Sequence, residues 1–167
     1  MSSEDENVAR AARQRPAARR GEAKSARRRA RELALQGLYQ RQVGGGEPAA
    51  IRAHLAENPG YREADRAFLD ELWQGVNADQ EGLMGELSPH LDRRSGELSP
   101  IERSILIIGA WELVHRLETP YRVVINEAVE LAKAYGGTDG HRFVNGVLDK
   151  LAARVRAPEI AAARGNL

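Results

Sequence analysis

Apolar residues recur every three or four positions along most of this chain, which is the period of an amphipathic α-helix. In the segment 26–40 the apolar and small residues fall on one side of such a helix, namely Ala30, Leu33, Ala34, Gly37 and Leu38. Arg28, Glu32 and Gln36 fall on the opposite side. The glycines at 44–46 end the predicted helix, because glycine is a poor helix former.

The next apolar positions predict two or three further helices before residue 92. Ile51 and Leu55 are four residues apart and indicate a short helix, which an Asn-Pro-Gly turn at 58–60 follows. From about 62 to 91 the apolar side chains again stand at three- and four-residue steps. This stretch predicts one long helix, or two that join near Gly82, with the apolar residues Phe68, Leu69, Leu72, Trp73, Val76, Leu83 and Leu87.

A strongly apolar helix is predicted from residue 99 to 113. Ser99 can cap its first turn, Pro100 suits the first helical position, and Glu102 can complete a capping box. Apolar residues occupy nearly every side of this helix, which is typical of a central, buried position. Glu112 lies within it and must find a hydrogen-bond or ion partner, because the burial of a lone charge is costly.

Two more helices are predicted in the last third of the chain. The first follows a Thr-Pro pair at 119–120 and ends at two glycines, with an apolar stripe of Val124, Ile125, Ala128, Leu131, Ala132 and Tyr135. Asp139 can cap the second, at 141–152. In this last helix the large apolar side chains are again four residues apart, at Phe143, Val147 and Leu151.

We find no strand pattern of period two and no internal repeat, so the sequence predicts an all-α bundle of about six or seven helices. Its expected parts are an N-terminal helical subdomain at 25–92 and a C-terminal helical subdomain at 99–156, joined by a polar link at 93–98. Residues 1–24 are polar and nearly free of large apolar groups, which predicts a disordered basic extension. Residues 157–167 are predicted to be a frayed tail.

Charge is distributed unevenly over the 167 residues, although the formal net charge is only +1. Residues 1–31 hold ten basic and four acidic residues, and the remainder holds 15 basic and 20 acidic residues. This asymmetry indicates a basic arm on a mildly acidic body. The chain has no cysteine, no apolar run of about 20 residues and no signal-peptide core. We therefore expect a cytoplasmic protein without a membrane span.

Signals for catalysis, metals and cofactors are weak. The histidines at 54, 90, 115 and 141 are far apart and lack metal-ligand spacing. The glycine-rich run at 136–140 lacks the Lys-Ser/Thr pair of a phosphate loop, so a helix cap is the preferred interpretation. Glu127 and Glu130 are three residues apart, but acid–base chemistry also needs a pocket and shifted pKa values, and surface charge is preferred. We expect no enzyme activity, no metal and no cofactor.

Arg27, Arg28, Arg29 and Arg31 give the strongest local signal for binding. Arginine pairs bidentately with phosphates and stacks on unpaired bases. Four guanidinium groups within five residues also repel one another until phosphates arrive. The cluster therefore favours RNA or DNA as a ligand. A solvated helix face or a solubilising chain end would have the same composition, and so would a DNA-binding arm.

Four longer motifs narrow this choice: ARRRARELALQGLYQ at 26–40, SPIERSILIIGAWEL at 99–113, PYRVVINEAVELAKAYG at 120–136 and HRFVNGVLDKLA at 141–152. Together they resemble the NusB family of bacterial antitermination factors. The resemblance implies an all-helical fold of two small bundles and a non-enzymatic role in processive transcription of ribosomal RNA operons. It also implies binding of boxA RNA together with NusE, a small-subunit ribosomal protein, in a complex with NusA, NusG and RNA polymerase.

The resemblance assigns nine residues to RNA and two to NusE, by position in these motifs. The RNA residues are the arginine-rich motif Arg27, Arg28, Arg29 and Arg31, the basic residue Arg122, and a second patch of Asp139, His141, Arg142 and Phe143. The residues that match NusE-facing positions are Tyr39 and Glu102.

Local chemistry leaves some of these roles open. Phe143 could stack on a base or belong to the core. Asp139 would repel phosphate, so a helix cap or an acceptor from a base is preferred. Ile107 stands where some relatives carry a basic residue, which puts one RNA contact in doubt. Three alternatives remain: a module related to accessory domains of ribosomal RNA methyltransferases, a DNA-binding or interaction protein, and self-association through the NusE-facing surface.

Overall fold

The computed structural model describes residues 3–92 and 97–165, with side chains from residue 19 onward. This part of the chain contains eight α-helices and two short 3-10 helices, and none of its residues lies in a strand, so the predicted all-α class is confirmed. The α-helices are α1 (Ser3–Gly44), α2 (Pro48–Leu55), α3 (Arg66–Ala78), α4 (Gln80–Leu87), α5 (Pro100–His115), α6 (Tyr121–Tyr135), α7 (Gly140–Val155) and α8 (Ala157–Gly165). The 3-10 helices are Pro59–Glu63 and Ser88–His90.

Helix α5 lies at the centre of the bundle and contacts α1, α3, α4, α6 and α7. Every residue from Ser104 to Leu113 is buried, because apolar neighbours surround this helix on all sides. A Cβ atom at Gly109 would lie only 2.7 Å from Cδ1 of Leu148, so the absence of a side chain allows α7 to approach closely. The predicted central position of this helix is confirmed.

The apolar core is continuous across the two predicted subdomains. The N-terminal one, 25–92, contains the second half of α1 and all of α2 to α4, and the C-terminal one, 99–156, contains α5 to α7. Buried side chains of both parts belong to one cluster, because α5 packs against helices of each. Residues 93–96 of the predicted polar link lie outside the described residues.

Side-chain caps fix where α3, α4 and α5 begin. Asp65 and Asp79 each accept a hydrogen bond from the backbone N–H three residues later, at 3.0 and 2.9 Å. The cap at Asp79 separates α3 from α4, so the stretch predicted as one helix or two consists of two. Oγ of Ser99 accepts a hydrogen bond from the N–H of Glu102 at 3.1 Å, which confirms the predicted cap of α5.

Both ends of the chain are more helical than the sequence predicts. Helix α1 begins at Ser3, where a disordered extension is predicted over 1–24. Alanine, arginine and glutamate favour helix, and extending a helix that the core already holds avoids the cost of nucleation. Helix α8 replaces most of the predicted frayed tail at 157–167. It is held because Ile160 packs against the core and Glu159 pairs with Arg156 at 2.7 Å.

Arg156 closes the C-terminal end of α5, although it belongs to the end of α7. Its buried guanidinium donates to one carboxylate and four backbone carbonyls at 2.7–3.2 Å, those of Glu159, Glu112, Leu113, Arg116 and Thr119. These five bonds use every N–H that a guanidinium offers. The last carbonyls of a helix lack partners within the helix, so Arg156 satisfies them from outside.

We expect Arg156→Ala to destabilise the fold by roughly 3 kcal/mol, because it leaves the carbonyls of Leu113 and Thr119 without a donor, whereas those of Glu112 and Arg116 keep their backbone donors. Urea unfolding followed by circular dichroism measures this loss. The exposed neighbour Arg154 provides the control, and Arg154→Ala should change the free energy of unfolding by less than about 1 kcal/mol. Equal unfolding midpoints for the two variants would show that Arg156 does not hold the end of α5.

Candidate nucleic-acid interface

The four clustered arginines of α1 do not share one environment, and Arg31 differs most. Its side chain is 3% exposed, and its Nε and Nη2 atoms donate to the carboxylate of Glu112 at 2.9 and 2.7 Å. Its guanidinium carbon also lies 5.1 Å from the centre of the Phe68 ring. The predicted partner of Glu112 is thereby confirmed. The expected RNA contact at Arg31 is corrected, because this guanidinium is enclosed by the protein and already paired.

Arg28 reaches across to α6 and pairs with Glu127. Its Nε and Nη2 atoms donate to the two carboxylate oxygens of Glu127 at 2.9 and 3.0 Å. Glu127 is buried and also lies 3.8 Å from Nη1 of Arg31. The preferred interpretation of Glu127 as surface charge is therefore wrong. Glu130, one turn later, is exposed and lies 3.6 Å from Lys133, as expected of a surface charge.

Glu127 remains ionised because its neighbours outweigh its burial. Burial raises the pKa of Glu127, but the hydrogen bond from Arg28 and the charges of Arg31, Arg28 and Lys24 lower it by more than burial raises it. The net pKa therefore lies below the ordinary 4.5. The carboxylate thus carries a full negative charge between two guanidinium groups at neutral pH. It balances charge and holds α1 against α6.

Arg27, Arg28 and Arg29 all retain exposure, unlike Arg31. Arg28 is 41% exposed despite its pair with Glu127. Arg29 is exposed and donates to Glu32 at 3.0 Å. Arg27 is half-buried and lines a cavity of about 310 Å³ between α1 and the start of α6, which Lys24 and Arg116 also line. Three cationic groups of the cluster therefore remain accessible to an anion.

The second predicted patch surrounds the start of α7. Asp139 occupies the N-cap position, but its side chain makes no capping hydrogen bond, so the predicted cap is corrected. Its carboxylate is exposed, as is the side chain of Arg142. His141 and Phe143 are half-buried. Phe143 packs against the core with part of its surface, which agrees with the core interpretation, and base stacking by the accessible remainder stays a prediction.

Arg122 lies in the first turn of α6 and is exposed. Its Nε atom donates to the hydroxyl of Tyr121 at 3.1 Å, and the guanidinium carbon lies 5.8 Å from the centre of that ring. A second cavity of about 310 Å³ lies beside it, lined by the amides Asn126 and Asn145 and by Asp149. Side-chain amides both donate and accept hydrogen bonds, as the recognition of a base edge requires. Neither helical periodicity nor a motif singles out this pair of amides.

Tyr135 is an exposed aromatic group that the sequence placed in the apolar stripe of α6. It is 49% exposed and lines a small cleft with Arg28 and Glu32. Partial burial and the negative charge of Glu32 raise the pKa of the Tyr135 hydroxyl. As the last residue of α6 it extends beyond the core, which the helical period alone could not show.

The predicted RNA residues are distributed over α1, the start of α6 and the start of α7, and they do not line one pocket. The Arg28–Glu127 pair joins the arginine cluster to the middle of α6. Arg122 and Tyr135 stand at opposite ends of that helix, about 20 Å apart at 1.5 Å of rise per residue. The patch at 139–143 follows the end of α6 through a tight connection. An elongated ligand such as a nucleic-acid strand fits this layout better than a small molecule.

The two positions expected to face NusE differ in accessibility. Tyr39 is 42% exposed on α1, and Val43 one turn later is also exposed. Gln42 lies beside them and donates to Oγ of Ser104 at 2.5 Å, which attaches this end of α1 to α5. Glu102 is only 8% exposed, close to the start of α7. Tyr39 is therefore accessible to a partner, whereas Glu102 is nearly enclosed.

Within the described ranges, no helix combines the length and apolar character needed to cross a membrane. The same residues contain no group of three or more His, Asp or Glu side chains arranged to hold a metal ion.

A family model described as the NusB family matches residues 28–153. The chain belongs to the NusB family. The transcription antitermination protein NusB of Ralstonia nicotianae is 55% identical over 149 residues, which cover 89% of this chain and 96% of that relative. The NusB protein of Cupriavidus pinatubonensis is 50% identical over 167 residues, which cover 98% of this chain and 100% of the relative. The family expected from the sequence motifs is thereby confirmed.

The fold is shared with solved structures of NusB. A NusB chain in a crystal structure of the antitermination factors NusB and NusE in complex with double-stranded RNA superposes with a TM-score of 0.65 at 25% identity. The match covers 76% of this chain and 96% of that one. The bundle described above is therefore the NusB fold, and the arginine cluster lies at the beginning of the family match.

We expect Glu112→Gln to destabilise the protein by roughly 3 kcal/mol, because it removes the carboxylate that is hydrogen-bonded to the buried Arg31 and leaves only Glu127, which is 3.8 Å away and shared with Arg28. The double variant Arg31→Met/Glu112→Leu removes both charges and should recover much of that loss. Urea unfolding measures both, with Glu130→Gln as the exposed control. A double variant no more stable than Glu112→Gln would argue against a buried charge as the cause.

We expect the difference in stability between the wild type and Glu127→Gln to depend on pH. Because the folded-state pKa of Glu127 is lowered, its contribution is complete above the ordinary 4.5 and declines as the pH falls through the folded value. The difference in urea midpoint between the wild type and Glu127→Gln should therefore be larger at neutral pH than near pH 3. With Glu130→Gln as control, a difference that does not vary with pH would contradict the assigned pair.

Proposed function

We propose that this chain is a non-catalytic RNA-binding antitermination factor that binds boxA-type sequences of nascent ribosomal RNA together with NusE. The observation that carries this proposal is the accessible trio Arg27, Arg28 and Arg29, which α1 presents beside α6. Membership of the NusB family supports it, as does the solved relative that holds NusE and RNA. The proposed site of action is the cytoplasm, in a complex with NusA, NusG and RNA polymerase.

Phosphate binding is assigned to the exposed cations. Arg27 and Arg29 offer guanidinium groups on either side of Arg28, and Arg122 and Arg142 extend the positive surface along α6 and α7. Guanidinium groups bind phosphate oxygens through charge-assisted hydrogen bonds, which position a strand without reading its sequence. Arg31 is left out of this set because it is paired inside the protein.

Glu127 is proposed to position Arg28 for this task. The carboxylate uses the Nε and Nη2 atoms of Arg28, so the Nη1 group is the part of this guanidinium that remains for a phosphate. A side chain held at two points loses less freedom on binding than a mobile one. The pair therefore favours RNA binding even though Glu127 itself is negative.

Base recognition is assigned to the start of α7. The half-buried Phe143 offers part of its ring for stacking, His141 lies beside it, and the uncapped carboxylate of Asp139 can accept a hydrogen bond from a base. Unpaired RNA exposes the base edges that such groups read. The NusB–NusE structure contains double-stranded RNA, so a duplex ligand is the competing possibility for this surface.

The face around Tyr39 and Val43 is proposed to bind NusE. Two exposed apolar side chains one turn apart on α1 form a small hydrophobic surface at the edge of α5. Glu102 contributes at the margin of this face. Self-association through the same face is the alternative, and light scattering with and without NusE distinguishes the two.

We expect Arg28→Ala/Arg29→Ala to weaken binding to boxA-type RNA, in the presence of NusE, by on the order of tenfold or more. If three arginines each neutralise a phosphate, the slope of log affinity against log salt is roughly −2, and it should fall to about −0.7 in the variant. Fluorescence anisotropy over a salt series measures both quantities.

Lys150→Ala/Arg154→Ala is the control for this experiment, because both side chains are exposed on the second half of α7, beside Asp92 and Glu86, and the change removes the same positive charge. A scrambled RNA, a duplex RNA and a duplex DNA complete the series. Equal affinity for scrambled and boxA RNA would refute sequence-specific recognition. A clear preference for duplex DNA would favour a DNA-binding function instead.

A further inference from the structure

Helix α1 continues well beyond the part that the core holds. The backbone N–H of Asp65 donates to the carbonyl of Ala26 at 3.0 Å, and Ala30 is the first fully buried residue of the helix. Residues 19–25 are exposed, and the helical backbone extends from there to Ser3. The first part of α1 therefore projects from the body of the molecule and leads directly into the arginine cluster.

The part of this segment nearest the body is strongly basic, whereas Glu4, Asp5 and Glu6 lie at its start. Residues 9–24 contain six basic residues and one acidic residue, Glu22; the basic residues are Arg10, Arg13, Arg15, Arg19, Arg20 and Lys24. A surface that served solubility alone would gain from charges of both signs at i,i+4 spacing. Nearly uniform positive charge is instead the pattern of a helix that meets a polyanion.

The basic residues nearest the body continue the face of the arginine cluster. Arg20, Lys24, Arg27 and Arg28 follow one another at steps of four, three and one, which places them on one side of α1. Lys24 lines the same cavity as Arg27 and Arg116. Its charge also acts on Glu127, the partner of Arg28. The positive surface of the extension and that of the cluster are thus continuous.

The composition of the segment argues against an apolar partner. Residues 9–24 contain alanine and one proline but no larger apolar side chain. Protein interfaces and membrane-bound helices depend on large apolar or aromatic anchors, which are absent from this stretch of the sequence. Phosphate binding needs only positive charges along the chain and does not require a fixed helical register.

We propose that residues 19–24 form a second, sequence-independent RNA-binding segment, which holds phosphates of the strand that leads into the arginine cluster. This inference rests on the proposed function, since the cluster must itself meet RNA. From Arg19 to Arg28 the helix rises about 14 Å, enough to follow further nucleotides beyond the cluster. The segment increases affinity and salt dependence, and specificity stays with the cluster and α7.

The test uses the full chain with NusE and two RNAs, a boxA-type oligonucleotide alone and the same oligonucleotide with about ten uridines added on each side. Arg19→Gln/Arg20→Gln removes two positive charges, keeps good helix formers at both positions and leaves Lys24 beside Arg27 in place. We expect this variant to bind the long RNA about fivefold more weakly, with a salt slope about 1.4 units shallower, and to bind the short RNA nearly as the wild type does.

Lys150→Gln/Arg154→Gln is the matched control, because it removes the same charge from exposed positions on the second half of α7. Circular dichroism and urea midpoints verify that both variants remain folded. The proposal is overturned if the extension variant binds the long RNA with the affinity and salt slope of the wild type, or if it loses the same affinity for both RNAs. Unchanged RNA binding with weaker assembly onto RNA polymerase would assign the segment to a protein partner and would also overturn it.

Failure of the proposed function would give a different experimental result. If boxA recognition is absent, the wild type binds short boxA and short scrambled RNA equally, whatever the extension does. The contribution of the extension appears only in the difference between long and short RNAs, so the two outcomes are separate.

Discussion

The ion pair between Arg31 and Glu112 fixes how α1 lies on the central helix. A buried pair is expensive to desolvate and is tolerated only when both charges are fully hydrogen-bonded, as the two bonds of 2.9 and 2.7 Å achieve here. The partners are 81 residues apart, so the pair forms only when the N-terminal helix meets α5 in one rotation. That rotation leaves Arg28 and Arg29, which precede Arg31 by three and two residues, on the surface of the protein.

Polar contacts concentrate where α5 ends. Glu112 receives Arg31 on its carboxylate and Arg156 on its backbone carbonyl, so one residue links α1, α5 and the end of α7. Phe68 lies between the guanidinium groups of Arg31 and Arg116, at 5.1 and 4.5 Å from the ring centre. The apolar surface of α5 accounts for its burial, and these directional contacts account for its single orientation.

Local signals in the sequence predicted most of the fold. The cap at Ser99, the buried character of α5 and the need of Glu112 for a partner follow from residues close together in the chain. The helix ends were less predictable, because polar composition shows that a segment cannot form a core and does not show whether a neighbouring helix will extend through it. Helix α8 was missed because its anchors, Glu159 and Ile160, contact distant parts of the chain.

The candidate site was predicted less completely, since four arginines of identical chemistry stand within five positions. Which of them turns inward depends on carboxylates at 112 and 127, and their distance in space cannot be read from spacing along the chain. The pairing of these arginines also affects the rate at which RNA associates. Arg28, Arg29 and Arg31 face Glu127, Glu32 and Glu112, so at long range these three cations are neutralised, and the field that attracts an approaching polyanion comes from Lys24 and Arg27. Electrostatic steering therefore reflects fewer charges than the sequence suggests, and Arg28 acts at close range, where it governs how long a bound strand stays.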